Sequence, residues 1–188
     1  MKKLSFYDID KDYIDYLQNT EIEKRGFTRV PNMSYEEKEQ KFLCGIVLNI
    51  NDMNYYVPVT SNCKRYKDNI RIVFKDDKYK KVKGSLRFNY MVPAPKEVIK
   101  ERRINNEPDR KRRMFLQKEL EFCNSIQERI YKQAKKTYYS VMKGNDKHLN
   151  QNACDFKLLE TLAKEYSKSH KSLLERKDMI NNEREYER

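Results

Sequence analysis

Two runs dense in β-branched and aromatic residues, Phe42-Leu43-Cys44-Gly45-Ile46-Val47-Leu48-Asn49-Ile50 and Met53-Asn54-Tyr55-Tyr56-Val57-Pro58-Val59, are separated only by Asn51-Asp52. Residues of this kind fit a pleated, half-buried surface, and a turn-forming Asn-Asp between them predicts a β-hairpin. Pro58 has no N–H to give to a ladder, which places its strand at an edge or ending there. Further strands are predicted at Leu4–Asp8, Ile70–Lys75 and Ser85–Val92, the last stopped by Pro93-Ala94-Pro95. With only four Gly and five Pro, long flexible connectors are not expected between them.

The second half of the chain changes period. Between Asp109 and about Lys143, Phe115, Leu116, Phe122, Cys123, Ile126, Ile130, Ala134 and Val141 recur at helical spacing. Pro108-Asp109 opens this stretch and Lys143-Gly144-Asn145 closes it, so one long basic helix is expected. A last helix starts after Asp155, with Phe156, Leu159, Leu162, Ala163 and Tyr166 on one stripe. Near the start, Tyr13, Ile14 and Leu17 share one side of a brief helix at Lys11–Asn19. Residues 20–40, with Gly26 and Pro31 as breakers, read as a loop with one helical turn near Tyr35–Gln40. Strands first and helices after describe an α+β domain, an antiparallel sheet covered by helices. The length of 188 residues suits one domain over the whole chain, with about residues 170–188 a helical extension or frayed tail.

The net charge of +12 is not spread evenly. Residues 60–83 hold nine Lys/Arg against three Asp/Glu, and residues 96–143 hold fourteen against seven, which accounts for nearly all of the excess. Charge gathered this way attracts a polyanion and releases its counterions on binding. No stretch has the roughly 18 apolar residues of a membrane span. The opening Met1-Lys2-Lys3-Leu4-Ser5-Phe6-Tyr7 has no apolar run of the signal-peptide kind, so a cytoplasmic protein is expected. Cys44, Cys63, Cys123 and Cys154 form no CxxC pair and the chain has only two His, so no metal site is expected and the thiols read as reduced. No phosphate-binding glycine loop, dinucleotide fingerprint, HExxH or GxSxG occurs, and the carboxylates do not cluster as a two-metal site would require.

What remains for chemistry is Thr60-Ser61, directly after the strand Tyr55–Val59 and directly before Asn62-Cys63-Lys64-Arg65-Tyr66-Lys67. A hydroxyl pair at the end of a strand is held firmly, and the cations that follow can hold a phosphate against it. RNA cleaves itself when a 2′-OH attacks the adjacent phosphorus. A protein helps by positioning, by neutralising the phosphoryl oxygens and by moving protons, all within reach of hydroxyl, ammonium and guanidinium groups.

Four stretches, in order, resemble the ToxN/AbiQ/CptN family, the endoribonuclease toxins of type III toxin–antitoxin systems. They are Phe6-Tyr7 with Tyr13-Ile14-Asp15-Tyr16-Leu17; Lys41-Phe42-Leu43-Cys44-Gly45-Ile46-Val47-Leu48; Tyr56-Val57-Pro58-Val59-Thr60-Ser61 with Met91-Val92-Pro93; and Cys154-Asp155-Phe156-Lys157-Leu158-Leu159-Glu160. The resemblance implies a fold related to the compact barrel of the MazF/Kid toxins, elaborated with helices. It also implies metal-free cutting of cellular and phage RNA to 2′,3′-cyclic phosphate ends. The family's serine matches Ser61, its threonine Thr60, its lysine before the strand Lys41, and its upstream tyrosine Tyr35. Its lysine after the hydroxyl pair falls on Cys63 or Lys64, of which only Lys64 carries charge. Where relatives have Asn before Met-Val-Pro, this chain has Arg87. The implied partner is a tandem-repeat RNA antitoxin, folded as pseudoknots, in a multi-copy protein–RNA assembly, with a part in phage defence.

The catalytic set expected is therefore Lys41, Thr60, Ser61, Lys64 and Tyr35. RNA contacts are expected from Arg65, Tyr66, Lys67 and Arg87 near the groove, and from Arg110, Arg112, Arg113 and Lys118 on the basic helix. Two rival readings use the same basic face: a non-catalytic RNA-binding module and a DNA-binding regulator.

Overall fold

The computed structural model describes residues 3–33, 41–74 and 78–170. The predicted turn at Tyr35–Gln40, the residue Tyr35 and the tail from 171 onward lie outside the described residues. Strands β1 (Ser5–Ile9), β2 (Leu43–Ile50), β3 (Met53–Thr60), β4 (Asn69–Val73), β5 (Val82–Arg87), β6 (Val92–Pro93) and β7 (Ile99–Glu101) form an antiparallel sheet. Their order is β4-β5-β3-β2-β1-β7, with β6 also paired to β3. Helices α1 (Lys11–Arg25), α2 (Arg110–Ser125), α3 (Gln127–Lys143), α4 (Lys147–Asn152) and α5 (156–170) complete the described chain.

The hairpin forms as the sequence predicts. Asn51 (φ 52°) and Asp52 (φ 60°) are both left-handed, the turn whose twist matches that of its two strands. Pro58 is a correction: β3 is not an edge strand. Along the side of β3 away from β2, Tyr55 and Tyr56 pair with β6 while Val59 and Thr60 pair with β5. Val57 and Pro58 fall in the gap where one partner hands over to the other. The proline's missing donor thus coincides with the place where no ladder bond is called for on that side.

The long basic helix is also corrected, because it breaks at Ile126 (φ −124°, ψ 24°), between α2 and α3. Asn124 explains the break. Its Oδ1 accepts from Leu4 N (2.9 Å) and its Nδ2 donates to Leu4 O (3.1 Å), pinning the end of α2 to the chain just before β1. Ile126 N–H then closes a tight bond to Cys123 O (3.3 Å), and α3 begins at Gln127. Helix α1 outlasts its apolar pattern, running to Arg25 and ending at Gly26 (φ +78°), whose N–H bonds to Ile22 O. Its last buried residue is Glu21, whose carboxylate accepts from Arg25, Thr28 Oγ1 and Arg29 N.

The core lies between the sheet and α1, α3 and α5. Phe156, Leu159, Leu162 and Ala163 of α5 are fully buried, and Asp155 caps the helix through Leu158 N (3.0 Å). Tyr55 of β3 and Tyr138 of α3 both donate to Glu160 Oε1 of α5, at 2.7 and 2.8 Å. One carboxylate thereby joins three elements, and burial with Glu160 beside them drives both phenols well above their usual range.

Gly45 marks the tightest contact in the hairpin: a Cβ there would lie 2.2 Å from the Tyr56 ring. That ring is itself buried and wedged edge-on against Tyr7 at 5.1 Å. Gly45→Ala is therefore expected to cost about 1–3 kcal/mol, seen as a lower midpoint in thermal or denaturant unfolding. An unchanged midpoint means that the Tyr56 ring can move aside freely.

Candidate active site at the end of the third strand

The chain leaves the sheet at Thr60, which pairs with Ser85 of β5. The loop beyond it, residues 61–68, is fixed by short bonds between side chains and backbone rather than by a regular ladder. Thr60 Oγ1 accepts from Asn62 N (3.2 Å), Asn62 Oδ1 accepts from Lys64 N (2.9 Å), and Ser85 Oγ donates to Asn62 O (2.7 Å). Cys63 Sγ lies 3.3 Å from both Ser61 O and Val82 O. Asn69 clamps the far end, with Nδ2 donating to Lys64 O (2.9 Å) and Oδ1 accepting from Tyr66 N (3.1 Å). Among the described residues the Ser61 hydroxyl and the Lys64 ammonium have no partner, and both side chains are exposed. Bonds from Thr60, Asn62, Ser85 and Asn69 hold the loop, while the side chains of Ser61, Lys64 and Arg65 are left exposed.

The structure gives the other expected residues different surroundings. The β2–β3 register, with Leu43 opposite Pro58 and Val59 N bonded to Phe42 O, brings the backbone of Lys41 to the same end of the sheet as Thr60. Its ammonium donates to Asn32 O (2.6 Å) and lines a small cleft with Asp8, Asp15 and Met33. The Arg87 guanidinium stands over the rings of Tyr66 (4.1 Å) and Tyr90 (5.0 Å), so it braces the loop by cation–π contact. Arg87 Nε, Asp68 Oδ1 and Asn89 Oδ1 are buried there without hydrogen-bond partners among the described residues. Lys67 pairs with Asp146 (3.2 Å) and Arg65 is exposed. On α2, Arg112 pairs with Glu107 (3.2 Å), Arg113 donates to Glu107 O (2.8 Å) and the Lys118 ammonium lies 5.9 Å from the Phe74 ring. Arg110 begins the helix exposed. The loop thus gathers Thr60, Ser61, Lys64, Arg65, Tyr66, Lys67 and Arg87, while Arg112 and Arg113 are engaged in closing the start of α2.

One residue beneath the site escapes the sequence reading. Glu119 of α2 is 4% exposed and has no hydrogen bond or ion pair among the described residues. Its Oε1 is 3.4 Å from where a Cβ on Gly84 would stand, and that same point is 2.7 Å from Thr60 O. Gly84 lets β5 close on the end of β3 with the carboxyl packed behind. Burial pushes this carboxyl up to about 7. The signal was present: Glu119 lies three residues after Leu116 and four before Cys123, both buried on the same stripe.

An exposed hydroxyl and ammonium at a clamped strand end of a basic α+β protein offer the kinds of group that can meet a phosphate. The comparisons make this specific: the chain belongs to the ToxN family of toxins from type III toxin–antitoxin systems, whose model matches residues 5–164. It is 31% identical over 176 residues to endoribonuclease AbiQ of Lactococcus lactis subsp. lactis, covering 88% of this chain and 90% of that protein. It is 28% identical to endoribonuclease ToxN of Bacillus thuringiensis subsp. kurstaki, covering 86% and 83%. A solved structure concerned with selective toxin inhibition by a non-coding RNA pseudoknot in type III systems superposes with a TM-score of 0.77 at 27% identity, over 88% of this chain and 99% of that one. The structure of AbiQ, a lactococcal anti-phage endoribonuclease, superposes at 0.75 with 26% identity, over 89% and 99%. Among the described residues no helix is long and apolar enough to cross a membrane.

Glu119 generates a prediction in pH. Below about 4.5 its carboxyl is protonated in both the folded and unfolded chain, so it imposes no penalty. Between about 4.5 and about 7 the folded protein keeps a proton that the unfolded chain releases, so stability falls as pH rises, in total by on the order of 3 kcal/mol. Glu119→Gln is expected to match the wild type near pH 4.5 and to exceed it at pH 8 in denaturant unfolding. A difference that does not change with pH contradicts the assignment.

Proposed function

We propose that this chain is a metal-independent endoribonuclease toxin that cuts RNA through the strand's own 2′-OH and is restrained by a tandem-repeat RNA antitoxin folded as pseudoknots. Its family membership and the endoribonucleases among its relatives favour an enzyme over a binding module or a DNA-binding regulator. The RNA pseudoknot named for one structural relative supports the antitoxin, and the anti-phage role of another supports a part in phage defence, in the cytoplasm where the RNA is. The antiparallel sheet, with β3 shared by three strands, supports kinship with the MazF/Kid barrel. One continuous core supports a single catalytic domain.

The observation that carries the mechanism is that the Ser61 hydroxyl and the Lys64 ammonium, both without a partner among the described residues, stand exposed on one loop that Thr60, Asn62, Ser85 and Asn69 hold in place. In the reaction the 2′-oxygen forms a bond to phosphorus while the bond to the 5′-oxygen breaks. The 2′-OH gives up its proton and the leaving oxygen gains one, which yields a 2′,3′-cyclic phosphate and a 5′-OH. Ser61 donates to a phosphoryl oxygen or passes a proton. Lys64 neutralises charge as it builds on the phosphoryl oxygens, and Lys41 assists once its ammonium turns from Asn32.

Wild-type protein is expected to cut RNA equally well with excess EDTA, and Ser61→Ala to lower kcat by about 100- to 1,000-fold while RNA binding persists. Product ends provide the third check. The downstream fragment should accept phosphate from a polynucleotide kinase directly, and the upstream fragment should resist periodate until its cyclic end is opened and the phosphate removed. Cleavage abolished by EDTA, or undiminished in the alanine variant, rejects the mechanism.

A further inference from the structure

Beside the Ser61 loop the surface drops into a cleft of about 510 Å³ between strand β4 and helix α3. Its floor is β4, the outermost strand of the sheet. Arg65, Lys67 and Arg71 line one side, and Arg129 and Gln133 of α3 line the other. Asn69 lines it too, and its two bonds to Lys64 O and Tyr66 N fasten the cleft to the loop that presents Ser61 and Lys64. A second opening of about 760 Å³ shares Arg129 and Gln133 with the first and adds Lys132 and Lys136. Positions 129, 132, 133 and 136 recur at i, i+3, i+4 and i+7, one face of a helix, so the two openings run together as a track along α3.

The cations here differ from those of α2. Among the described residues Arg65, Arg71 and Arg129 make no ion pair and no side-chain hydrogen bond, whereas Arg112 is paired with Glu107. In the first cleft no acidic side chain lines the wall. The second includes Glu128, which lies 4.0 Å from the Lys132 ammonium. Guanidinium groups without protein counter-charges are suited to phosphate oxygens, which they bind in a planar fork. Gln133 donates through Nε2 to Thr137 Oγ1 (3.1 Å), which leaves its carbonyl oxygen for a base. The volume lies within the roughly 300–1,000 Å³ of sites that take a small-molecule ligand. That is room for a nucleotide or two of unpaired strand and not for a double helix.

We infer that this cleft holds the single-stranded RNA flanking the scissile phosphate, with Arg71 and Arg129 on the backbone and Gln133 beside a base. The inference rests on the endoribonuclease reading above and adds to it a binding subsite that extends from Ser61 along β4 to α3. Arg71 and Arg129 lie on opposite walls, so the strand between them is gripped from both sides and its register at Ser61 is set.

The test uses the purified full chain and the double variant R71A/R129A. Both substituted residues are exposed, so the unfolding midpoint should not move. Two RNAs are compared: one extending about eight nucleotides to either side of the cut, and a minimal one with a single nucleotide on each side. Each is made cleavable, and uncleavable by a 2′-deoxy sugar at the cut. For the long strand the variant should bind the uncleavable form about tenfold more weakly, with a salt dependence shallower by about two ions. KM should rise about tenfold with kcat unchanged, and the minimal strand should be handled as by the wild type. Unchanged binding of the long strand overturns the inference, as does an equal loss for the minimal one. Weakening confined to a folded antitoxin-repeat RNA, with single strands unaffected, also overturns it. If the wild type binds the long strand and cuts neither RNA, the nuclease reading fails while the binding comparison still decides the cleft. If it binds no RNA, both fail.

Discussion

The placing of Thr60 and of the loop after it depends on how β3 changes partners. The strand bonds to β2 along one side and to two strands in succession along the other, β6 at Tyr55–Tyr56 and then β5 at Val59–Thr60. A proline at the crossing removes the donor that would otherwise have to be satisfied there. Had a single neighbour continued along the whole side, Ser61 would extend a ladder. Instead β5 closes on the last two residues only, and the chain turns out of the sheet with its next residues tied to Ser85 and Asn69. The residues around it are tied down by Thr60, Ser85 and Asn69, and the Ser61 hydroxyl is left exposed.

Beneath that turn the packing is close and includes one unusual element. Gly84 allows the backbone of Thr60 to approach, and Glu119 fills the space behind with a carboxyl that has no partner among the described residues. Around the rim the cations fall into two sets. Arg112, Arg113 and Lys67 serve the fold by closing a helix start or joining the loop to α4, while Arg65, Arg71 and Arg129 carry charge with nothing to answer it. A stretch rich in Arg and Lys therefore says little about where an anion binds until each cation's counter-charge is known.

This difference also explains what was legible beforehand. The hairpin, β1, β4 and the capped last helix follow from period, turn residues and an Asp at the right place, all local signals. The strand expected over Ser85–Val92 is instead cut after Arg87 by a tight turn at Phe88–Tyr90, and Val92–Pro93 pairs separately with β3. The loop with Thr60-Ser61 was visible as hydroxyls after a strand and before cations. Pro58 misled because its consequence depends on which strands come from elsewhere in the chain to flank β3. The uninterrupted helix misled because an amphipathic pattern continues smoothly through Ile126, while the break is imposed by Asn124 reaching Leu4, 120 residues away. Strand β7 was missed because three residues, half-buried Ile99 and exposed Lys100 and Glu101, carry no pattern of their own and form a strand only beside β1. Glu119 was overlooked although it lies on the apolar stripe, since a stripe is read by its apolar members.

The bond between Asn124 and Leu4 has a consequence in time. The first strand cannot reach its final anchorage until the ribosome has added more than a hundred further residues, and the sheet's outer pairing of β1 with β7 likewise waits for residues 99–101. Non-local pairings of this kind form late and slowly compared with a helical bundle. Translation of most of the chain must therefore precede a finished site, whereas the RNA antitoxin proposed for it needs no translation at all. The topology itself builds a delay between the start of synthesis and the appearance of a finished site.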